Sequence, residues 1–442
     1  MIDKDLIPLG EIAAPTPNSF VDGPFGSEMK ADEYKETGVR LIQLQNIGDG
    51  AWIDDNRKFI SADKFATLKR HGAAPGDLVI AKMADPVARS CVLPSVADQY
   101  IVVADCIKLT PDTTRHNAKY VSRAINSHYT RREAELKSTG TTRLRINLSA
   151  LKTVHIWAPP LREQIRIAAM LDAVDEAIAK TEAVIAKLKQ VRAGLLHDLL
   201  TRGLDEHGCL RDPIAHPEQF KDSAIGRIPR EWQALSVEEL LARVPNPIRS
   251  GPFGSALLKQ ELKPSGIPLL GIDNVHVEHF VMDFTRFVDE EKFQELKRYA
   301  VRPHDVMITI MGTVGRCCVV PDSIRTALSS KHVWTITLDM KRYSPDLACW
   351  QMNHAPWALR QLRRDEQGGV MTAIRSETLR GLLLPVPPPP EVKRIEAALH
   401  YPTTAVAAEE QVLPKLREVK SGLMADLLTG RVRVAEGVGV AS

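Results

Sequence analysis

The residues of this chain that could do chemistry centre on a five-residue motif that occurs twice. Gly23-Pro24-Phe25-Gly26-Ser27 returns as Gly251-Pro252-Phe253-Gly254-Ser255. The first copy continues to Lys30, which gives the Ser-x-x-Lys spacing of acyl-transferring enzymes. In the second copy the corresponding lysine is Lys259, one position too far from its serine. We therefore reject covalent catalysis at this motif.

Other catalytic signatures are missing from the sequence. There is no Asn/Asp-Pro-Pro-Tyr motif that would hold an extruded adenine, and no Gly-x-x-x-x-Gly-Lys-Ser/Thr loop for ATP. No group of His, Cys and carboxylate residues has the spacing of metal ligands. The sequence therefore predicts a protein that is not an enzyme and holds no metal or cofactor of its own.

The repeated motif has two interpretations that do not involve catalysis. In the first it is a tight turn, in which glycine supplies unusual backbone angles and phenylalanine fills a core. In the second its backbone N–H groups and serine hydroxyl contact a phosphate group. We favour the turn, because an element that reads different sequences should differ between the copies.

The repeat extends far beyond this motif. A constant shift of 228 positions relates residues from 17 to 201 to residues in the second half, for example Leu68-Lys69-Arg70 to Leu296-Lys297-Arg298. A one-residue slip near Cys91 and Cys318 is later reversed. A duplicated fold has approximate two-fold symmetry available to it, and duplex DNA is a natural partner with related halves.

Positive charge within the two copies supports that partner. The net charge of +3 is too small to indicate nucleic-acid binding by itself. Arginine and lysine nevertheless crowd equivalent stretches near residues 131–152 and 360–380, although solvated surfaces explain most such runs. Arginine and lysine there could hold phosphates or a guanine edge. The candidate DNA contacts are Ser27, Lys30, Lys82, Arg89, Thr141, Arg143, Arg145, Ser255, Lys259, Arg316, Lys331, Thr372 and Arg375.

Composition places the chain among soluble globular proteins. Of its 442 residues 44% are hydrophobic and 26% charged, and no apolar run reaches the ~18 residues that a membrane span needs. The first residues do not resemble a signal peptide, and the six cysteines form no Cys-x-x-Cys pair. We expect buried free thiols in a reducing cytoplasm and no membrane contact.

Each copy is predicted to be an α+β domain followed by one long helix. Strands are expected at Val39–Ile42, Leu78–Ala81, Tyr100–Leu109 and Val154–Trp157, and short helices at Ala62–Lys69, Lys119–Lys137, Glu290–Arg298 and Asp346–Arg364. The predicted boundaries are a domain at 1–158, a long helix at 159–202, a linker at 203–230, a second domain at 231–386, a second long helix at 387–434 and a flexible tail at 435–442.

Both long helices carry apolar residues at alternating steps of three and four, which is the pattern of a coiled-coil seam. We predict that the two seams pack on each other in antiparallel fashion. The predicted interface residues are Leu171, Val174, Ile178, Ile185, Leu188, Leu195, Leu199, Leu399, Val406, Leu413, Leu416, Leu423 and Leu427.

Two features of the seam qualify this pattern. Pro402 and Pro414 predict a kink or break near Tyr401–Thr404, or a new helical segment beginning at Pro414. Arg192 and its repeat mate Lys420 occupy seam positions. They could control register, or their stems could extend out of the seam to water, which we favour.

The layout resembles the specificity subunit of type I restriction–modification systems over nearly the whole chain. Four strings in this order carry the resemblance. They are the repeated Gly-Pro-Phe-Gly-Ser, Pro159-Pro160-Leu161-Arg162-Glu163-Gln164, the run from Phe220-Lys221-Asp222-Ser223 to Ile225-Gly226-Arg227-Ile228-Pro229, and Leu427-Leu428-Thr429-Gly430-Arg431-Val432-Arg433. The prolines of the second helix and Glu391-Val392, where the family pattern has a Glu-Gln pair, depart from it.

The resemblance implies two pseudo-symmetric target recognition domains, separated by two long antiparallel coiled-coil helices. Each domain would read one half of a bipartite asymmetric site in double-stranded DNA. The helices would set the gap and dock two adenine-N6 methyltransferase subunits, which would carry S-adenosylmethionine. Nuclease/translocase subunits could join for cleavage. A coiled-coil scaffold without DNA specificity and a stand-alone enzyme are the alternatives.

Overall fold

The computed structural model describes residues 6–24, 28–83, 85–311, 313–363 and 374–434. Its contacts divide the chain into two compact units. The first comprises residues 1–184 and 409–442, and the second comprises residues 185–408. Each unit therefore contains one strand-rich domain together with segments of both long helices.

The first unit is built on two four-stranded sheets with the orders β2-β9-β6-β7 and β4-β3-β8-β5, and β1 pairs with β10. Only β3 and β8 run parallel among these pairs. The strands are β1 Leu6–Pro8, β2 Phe20–Asp22, β3 Val39–Ile42, β4 Phe59–Ile60, β5 Gly72–Ala73, β6 Leu78–Ala81, β7 Ser90–Val92, β8 Tyr100–Val102, β9 Cys106–Leu109 and β10 His155–Trp157. The helices are α1 Ala62–Thr67, α2 Ala118–Ile125, α3 His128–Leu136, α4 Leu148–Lys152 and α5 Leu161–Thr201, which continues into the second unit.

The second unit repeats this topology strand for strand. Its sheets have the orders β14-β23-β20-β21 and β18-β15-β22-β19, with β13 paired to β24 and the hairpins β11-β12 and β16-β17 in addition. The strands are β11 Phe220–Ser223, β12 Gly226–Pro229, β13 Gln233–Ser236, β14 Ile248–Ser250, β15 Ile267–Leu270, β16 Val275–His276, β17 His279–Phe280, β18 Phe287–Val288, β19 Ala300–Val301, β20 Val306–Thr309, β21 Cys317–Val319, β22 Ala327–Ser329, β23 Val333–Ile336 and β24 Leu383–Val386. The helices are α6 Val237–Leu240, α7 Glu290–Glu295, α8 Pro345–His354, α9 Pro356–Leu362, α10 Ser376–Arg380 and α11 Pro389–Leu427.

The predicted duplication and the α+β fold class are thus confirmed, and the structure locates the slip in the repeat. The loop between β6 and β7 spans 82–89, whereas the loop between β20 and β21 spans 310–316. Asn126 then matches Asn353. The amide side chain of Asn126 bonds the backbone of Ser90 in both directions, and Asn353 does the same to Cys317.

Three predicted elements are each split in two. The helix expected at Asp346–Arg364 is α8 and α9, because Pro356 begins a new helix. The other two splits have a common cause. The strand expected at Tyr100–Leu109 is β8 and β9, joined by a tight turn in which the Cys106 N–H donates to the Val103 carbonyl. The helix expected at Lys119–Lys137 is α2 and α3, because Ser127 caps the N-terminus of α3 with its side chain. Both errors come from short polar turn signals inside longer apolar patterns.

The segment predicted as a linker has structure of its own. Residues 203–230 include the hairpin of β11 and β12, in which Ser223 pairs with Gly226. Leu204, Ile225 and Ile228 are buried in the main core of the second unit. Five of the six cysteines are buried, as expected, whereas Cys209 in this segment is exposed.

The seam pattern predicted for the long helices corresponds to their burial. α5 has 41 residues and α11 has 39. Buried seam positions are Leu171, Ile185, Leu199, Leu399, Val406 and Leu427. Half-buried ones are Val174, Ile178, Leu188, Leu195, Leu413, Leu416 and Leu423. Residues between these positions are mostly exposed, so one stripe of each helix is covered.

Polar contacts show that the helix segments run antiparallel within each unit. In the first unit Lys420 bonds Asp175 at 2.7 Å and Arg417 bonds Glu182 at 2.7 Å. Of these two contacts, the one that lies later along α11 lies earlier along α5, so the two segments run in opposite directions.

The same arrangement recurs in the second unit at equivalent positions. Arg192, the mate of Lys420, donates from Nε to Thr403, the mate of Asp175, at 2.8 Å. The guanidinium of Arg192 also binds Glu278 and is largely buried. Our preference for stems that extend to water was therefore wrong, and these two cations instead fix the register of the helix pairs.

The expected break in the second helix is also wrong, because α11 is assigned without interruption across both prolines. Pro402 is buried at a seam position, where its ring contributes apolar surface. The Thr404 hydroxyl donates to the carbonyls of His400 and Tyr401, each at 3.0 Å, in the turn around this proline. Packing and these bonds offset the backbone donor that Pro402 lacks.

A glutamate in the first turn of each long helix fastens it to the chain that follows the other long helix. Glu391 accepts two bonds from the Arg211 guanidinium, at 2.6 and 3.1 Å, and one from the Leu204 N–H at 2.8 Å. In the first unit Glu163 accepts from Arg433 and from the Val434 N–H at 3.0 Å. Burial raises the pKa of Glu163, but its bonds with Arg433 and the Val434 N–H and the charges of Arg433 and Arg166 together outweigh burial and leave that pKa below its ordinary value.

Within the described ranges, no helix has the length and apolar character needed to cross a membrane. The same residues contain no group of three or more His, Cys, Asp or Glu side chains placed to hold a metal ion.

The arginine partners of Glu391 and Glu163 differ in how deeply they are buried, and this difference can be tested. The Arg211 side chain is 7% exposed and Glu391 1%, so Glu391→Ala leaves a buried cation whose remaining carboxylate partner is Glu231, 3.5 Å away and 70% exposed, and should cost about 3–5 kcal/mol. Arg433 is 55% exposed and can be hydrated, so Glu163→Ala should cost about 1–3 kcal/mol. Hydrogen exchange at the amides of Leu204 and Val434, with denaturant unfolding, measures both. Equal losses would contradict the importance of burial here.

Candidate nucleic-acid interface

The candidate contacts gather at one end of each domain because of strand direction. β2 and β6 each pair antiparallel with β9, so the loops that follow β2 and β6 leave the sheet at the same end. The turn that leads into β9 lies there too. We call this surface the loop end. In the first domain it comprises residues 23–24, 28–30, 82–83, 85–89, 103–105 and the adjoining 139–145. In the second it comprises residues 251–259, 286, 310–311, 313–316 and 330–332.

Backbone hydrogen bonds hold each loop end together. In the first domain the Gly23 N–H donates to Cys106 at 3.0 Å and the Lys82 N–H to Asp105 at 2.8 Å. In the second, Gly251 donates to Ser330 at 3.1 Å and Ile310 to His332 at 2.9 Å. The same three-loop arrangement therefore exists in both domains.

The cations of the first loop end divide into buried and exposed groups. Lys82 is buried, and its ammonium binds Asp22 at 2.9 Å, so it holds the loop after β6 against β2. Arg145 binds Asp105 at 2.8 Å with half of its side chain exposed. Arg143, Lys30 and Thr141 are also exposed. The exposed members are the ones that a partner could reach.

Arg89 and Arg316 occupy equivalent positions after the loops that follow β6 and β20. The Arg89 guanidinium donates to the Leu44 carbonyl at 3.0 Å, which fixes its direction. Arg316 is half-buried, and its backbone N–H donates to the Thr309 hydroxyl at 3.0 Å. One cation is thus retained at this loop in both domains.

The second loop end contains a cationic cleft of about 190 Å³ beside the repeated motif. Lys259, Arg286, Lys331 and His332 line it. The hydroxyl of Ser330, also in its wall, is buried and has no hydrogen-bond partner within the described residues. Burial, then the charges of Lys331 and Arg286, lower the pKa of His332. An anion bound in the cleft would offset these positive charges, so the cleft is suited to bind an anion.

The repeated motif itself is only partly explained as a turn. A Cβ on Gly23 would lie 2.0 Å from the Val103 carbonyl oxygen, and one on Gly251 would lie 1.9 Å from that of Ser329. The first glycine of the motif is therefore required by close backbone packing. Phe253, however, is 63% exposed, so the expectation that it fills a core is wrong in this copy. Its exposure makes it available to a partner.

The remaining candidate residues lie in different places. Ser255 lies in the exposed turn that follows Phe253. Arg375 precedes α10 as its N-terminal capping residue and takes part in other interactions. Ser27 and Thr372 lie outside the described residues.

Comparison with known proteins agrees with this architecture. A chain from a structure of a type I restriction–modification system, described for its complex assembly and conformational transition, superposes with a TM-score of 0.55 at 16% identity, covering 97% of this chain and 98% of that one. The S subunit of a type I system from M. genitalium superposes with a TM-score of 0.56 at 13% identity, covering 96% and 95%. At these identities the likeness establishes the fold.

Sequence comparison finds matches of the same kind. Residues 93–190 match the model of the type I restriction modification DNA specificity domain. The MjaVIII specificity subunit of Methanocaldococcus jannaschii is 23% identical over 309 residues, 69% of this chain and 68% of the relative. The EcoBI specificity subunit of Escherichia coli is 21% identical over 427 residues, 92% and 83% of the two chains. The chain is similar to the specificity subunits of type I restriction–modification systems.

Sequence reasoning missed two members of the second loop end. Arg286 and His332 line the cleft in the second domain but were not among the candidates. Arg286 could have been found, because a shift of 228 positions relates it to Lys58, so a cation is retained there. His332 has no such signal, since its position in a short turn becomes apparent only when β22 and β23 are known.

The packing of the first glycine of the motif can be tested. Gly251→Ala should displace the motif, because the new methyl group would overlap backbone rather than a flexible side chain. We expect a lower unfolding temperature and faster hydrogen exchange at Gly251 and Ile310. Gly194→Ala, at a position where nothing lies within 4 Å of a new Cβ and where φ, as at Gly251, is not positive, is the matched control. Equal effects of the two changes would exclude the packing explanation.

Proposed function

We propose that this chain is the non-catalytic DNA-recognition subunit of a type I restriction–modification complex. Each domain reads one half of a bipartite, asymmetric site in double-stranded DNA. The observation that carries this proposal is a duplicated framework with two different loop ends. The sheets have the same strand order in both domains, whereas the exposed cations on their loop ends mostly differ.

The difference between the loop ends supports an asymmetric target. The first presents Arg143 and Arg145 from a loop that the Ile146 N–H joins to the Lys82 carbonyl at 2.9 Å. The second presents Lys259 and Lys331 around a cleft. Arginine and lysine can form hydrogen bonds with guanine O6 and N7 in the major groove, so differently placed cations read different bases. Lys82, which is buried, we assign to positioning.

The long helices suit the role of a spacer. Each unit takes one antiparallel pair of helix segments, held in register by Lys420 with Asp175 and by Arg192 with Thr403. Because their register is fixed by side-chain bonds, we assign the gap between the half-sites to the length of these helices. A scaffold without DNA specificity would not require the divergent cationic loop ends.

We further propose that each long helix docks one methyltransferase subunit on an exposed face that the repeat retains. α5 carries Val184, Lys187, Val191 and Gly194, and α11 carries the same four residue types at Val412, Lys415, Val419 and Gly422. Spacings of three, four and three residues place each set along one face of its helix. The four valines are 41–51% exposed.

The glycine on each face strengthens this assignment. Glycine in a helix interior costs about 1 kcal/mol relative to alanine. A Cβ at Gly194 or Gly422 would meet nothing within 4 Å, so packing inside the chain does not require glycine. Close approach of a partner helix would require it, and two such faces suit two copies of one partner.

The partners supply the chemistry in this proposal. The methyltransferase subunits bring S-adenosylmethionine and transfer its methyl group to adenine N6, and nuclease/translocase subunits join when DNA is cleaved. The chain works in the cytoplasm, where the DNA and these subunits are present.

Mapping N6-methyladenine across the host genome, with the gene intact, deleted and restored, tests the recognition role. We expect one bipartite motif to lose methylation on deletion and to regain it on restoration. Restoration with a chain whose second loop end is altered by Lys259→Ala and Lys331→Ala should reduce methylation of that motif. A methylation pattern that is indifferent to deletion in a host with active methyltransferase subunits would refute the role.

The docking face has a test that separates it from folding. Gly422→Ala should stabilise the chain by roughly 1 kcal/mol, because alanine is the better helix former, yet weaken the methyltransferase complex. Val419→Glu should weaken the complex without unfolding the chain, since the residue is half-exposed. Val432→Glu, at an exposed valine outside the face, is the control. Calorimetric unfolding and analytical ultracentrifugation with the partner measure these effects. Undiminished assembly by both face variants would eliminate this surface.

A further inference from the structure

The two copies in this chain serve as an internal comparison of which polar residues the fold itself requires. Several polar residues are identical at equivalent positions, and most make the same bond in both copies. The side-chain amide of Asn46 donates to Ile53 and Asp55, and that of Asn274 donates to Val281 and Asp283, which are their repeat mates. Structure explains the retention of such residues.

Further retained residues follow the same rule. Lys64 binds Glu33 at 2.7 Å, and Lys292 binds Glu261 at 2.7 Å. The carboxylate of Asp77 accepts from the Ala74 N–H at 2.9 Å, and that of Asp305 accepts from the Arg302 N–H at 2.7 Å. The rule makes an exception informative, because a retained surface residue without an internal bond serves something outside the chain.

One pair of adjacent cations is such an exception. Lys69-Arg70 and Lys297-Arg298 are identical in the two domains and exposed in both. Each pair begins a short 3-10 turn, Lys69–His71 or Lys297–Tyr299, that connects a short helix to an edge strand. Within the described ranges these four side chains form no ion pair or hydrogen bond; the Arg298 guanidinium lies over the Tyr299 ring at 4.7 Å.

The turn that carries each pair adjoins the loop end. In the first domain a ring nitrogen of His71 contacts the Asp22 carbonyl at 2.6 Å, and Gly23 of the repeated motif follows directly. In the second domain Arg249, on the strand that leads to Gly251, donates from Nε to the Ala300 carbonyl at 2.7 Å, directly after the turn. Both retained surface features, the motif and the cation pair, are therefore joined to one strand in each domain.

The presence of the same Lys-Arg pair in both domains also indicates what the pair contacts. The two domains read different half-sites in the proposed function, so a residue that reads bases would be expected to differ between them. Phosphates are the same at every base step and fix a protein's register and orientation on the duplex. Lysine is depleted in the cores of protein–protein interfaces, which argues against a protein partner for an exposed Lys-Arg pair.

We propose that Lys69-Arg70 and Lys297-Arg298 are a matched pair of sequence-independent contacts to the DNA sugar–phosphate backbone. Each pair anchors the loop end of its domain on one half-site, while the divergent loop residues read the bases. The inference rests on the proposed DNA-recognition function. It adds that different residues of each domain contact the DNA backbone and the bases.

The experiment uses the full chain assembled with its methyltransferase subunits. Affinity is measured for a duplex with the mapped motif and for an unrelated duplex, across a series of salt concentrations. The variants are K69A/R70A, K297A/R298A and the four-fold change. The control is R325A/K341A, which removes two exposed cations of the second domain whose repeat mates are Asp98 and Thr114.

Each double variant should weaken binding to both duplexes by a similar factor, on the order of tenfold, and reduce the salt dependence by about two counterions. The ratio of the two affinities should stay unchanged, and the control should match the unaltered chain. The charge-preserving exchange K69R/R70K should retain binding, which separates lost charge from misfolding.

Three results would overturn the inference. One is binding by the double variants that equals that of the control. Another is weaker binding to the motif duplex alone, which would make the pair a base-reading element. The third is loss of methyltransferase assembly with DNA affinity intact. If the unaltered chain does not prefer its motif, the proposed function fails, whereas the effect on the unrelated duplex still tests the cation pairs.

Discussion

Burial of an apolar seam on both long helices is the constraint on which the rest of this structure depends. Each helix alone would expose a stripe of leucine, isoleucine and valine, and covering that stripe is favourable by roughly 25 cal/mol per Å². Pairing also determines where the sheet domains can attach. Glu163 and Glu391, in the first turns of α5 and α11, hold the chain that follows the opposite helix, so the seam and the domain cores form together.

The domains preserve their framework while exchanging the residues that build it. In the first domain Lys108 on β9 is buried, and burial lowers its pKa while the charge of Asp77 opposes that effect. In the second domain the equivalent carboxylate, Asp305, is bound instead by Arg249 on β14, the strand next to β23. Burial raises the pKa of Asp305, and Arg249 opposes that rise. A buried carboxylate thus keeps a cation although the cation has moved one strand away.

The sequence predicts periodic and repeated features well because they are written in residue spacing. The seam from Leu171 to Leu199 and the strands at Val39–Ile42 and Leu78–Ala81 are recovered within a residue or less. Features that depend on tertiary packing are not recoverable in this way. Pro402 stays helical because its ring is buried, and Phe253 is exposed although its residue type favours a core. The loop ends could be predicted as cationic, but their common location required the strand order.

Fusion of two copies into one chain allows an asymmetry that two identical subunits could not have. Gly50 turns a hairpin in the first domain at φ 77°, whereas its mate Glu278 holds φ 58°, a region that costs a residue with a Cβ about 1–2 kcal/mol. The Glu278 carboxylate binds both Arg192 on α5 and His354 at the end of α8. Burial raises the pKa of Glu278, but these two bonds outweigh it and lower that pKa below the usual range.

The strain at Glu278 is therefore offset by a three-way contact among the hairpin, α5 and α8 within the second unit. In the first unit Asp49, beside Gly50, binds Arg131 on α3 instead, and Lys420 keeps only its bond with Asp175. The first domain is tied to its helix segment by other charges: Arg123 on α2 binds both Asp172 and Asp175 on α5, and Asp175 also binds Lys420. Two domains with one framework can in this way be held on their helix segments by different residues.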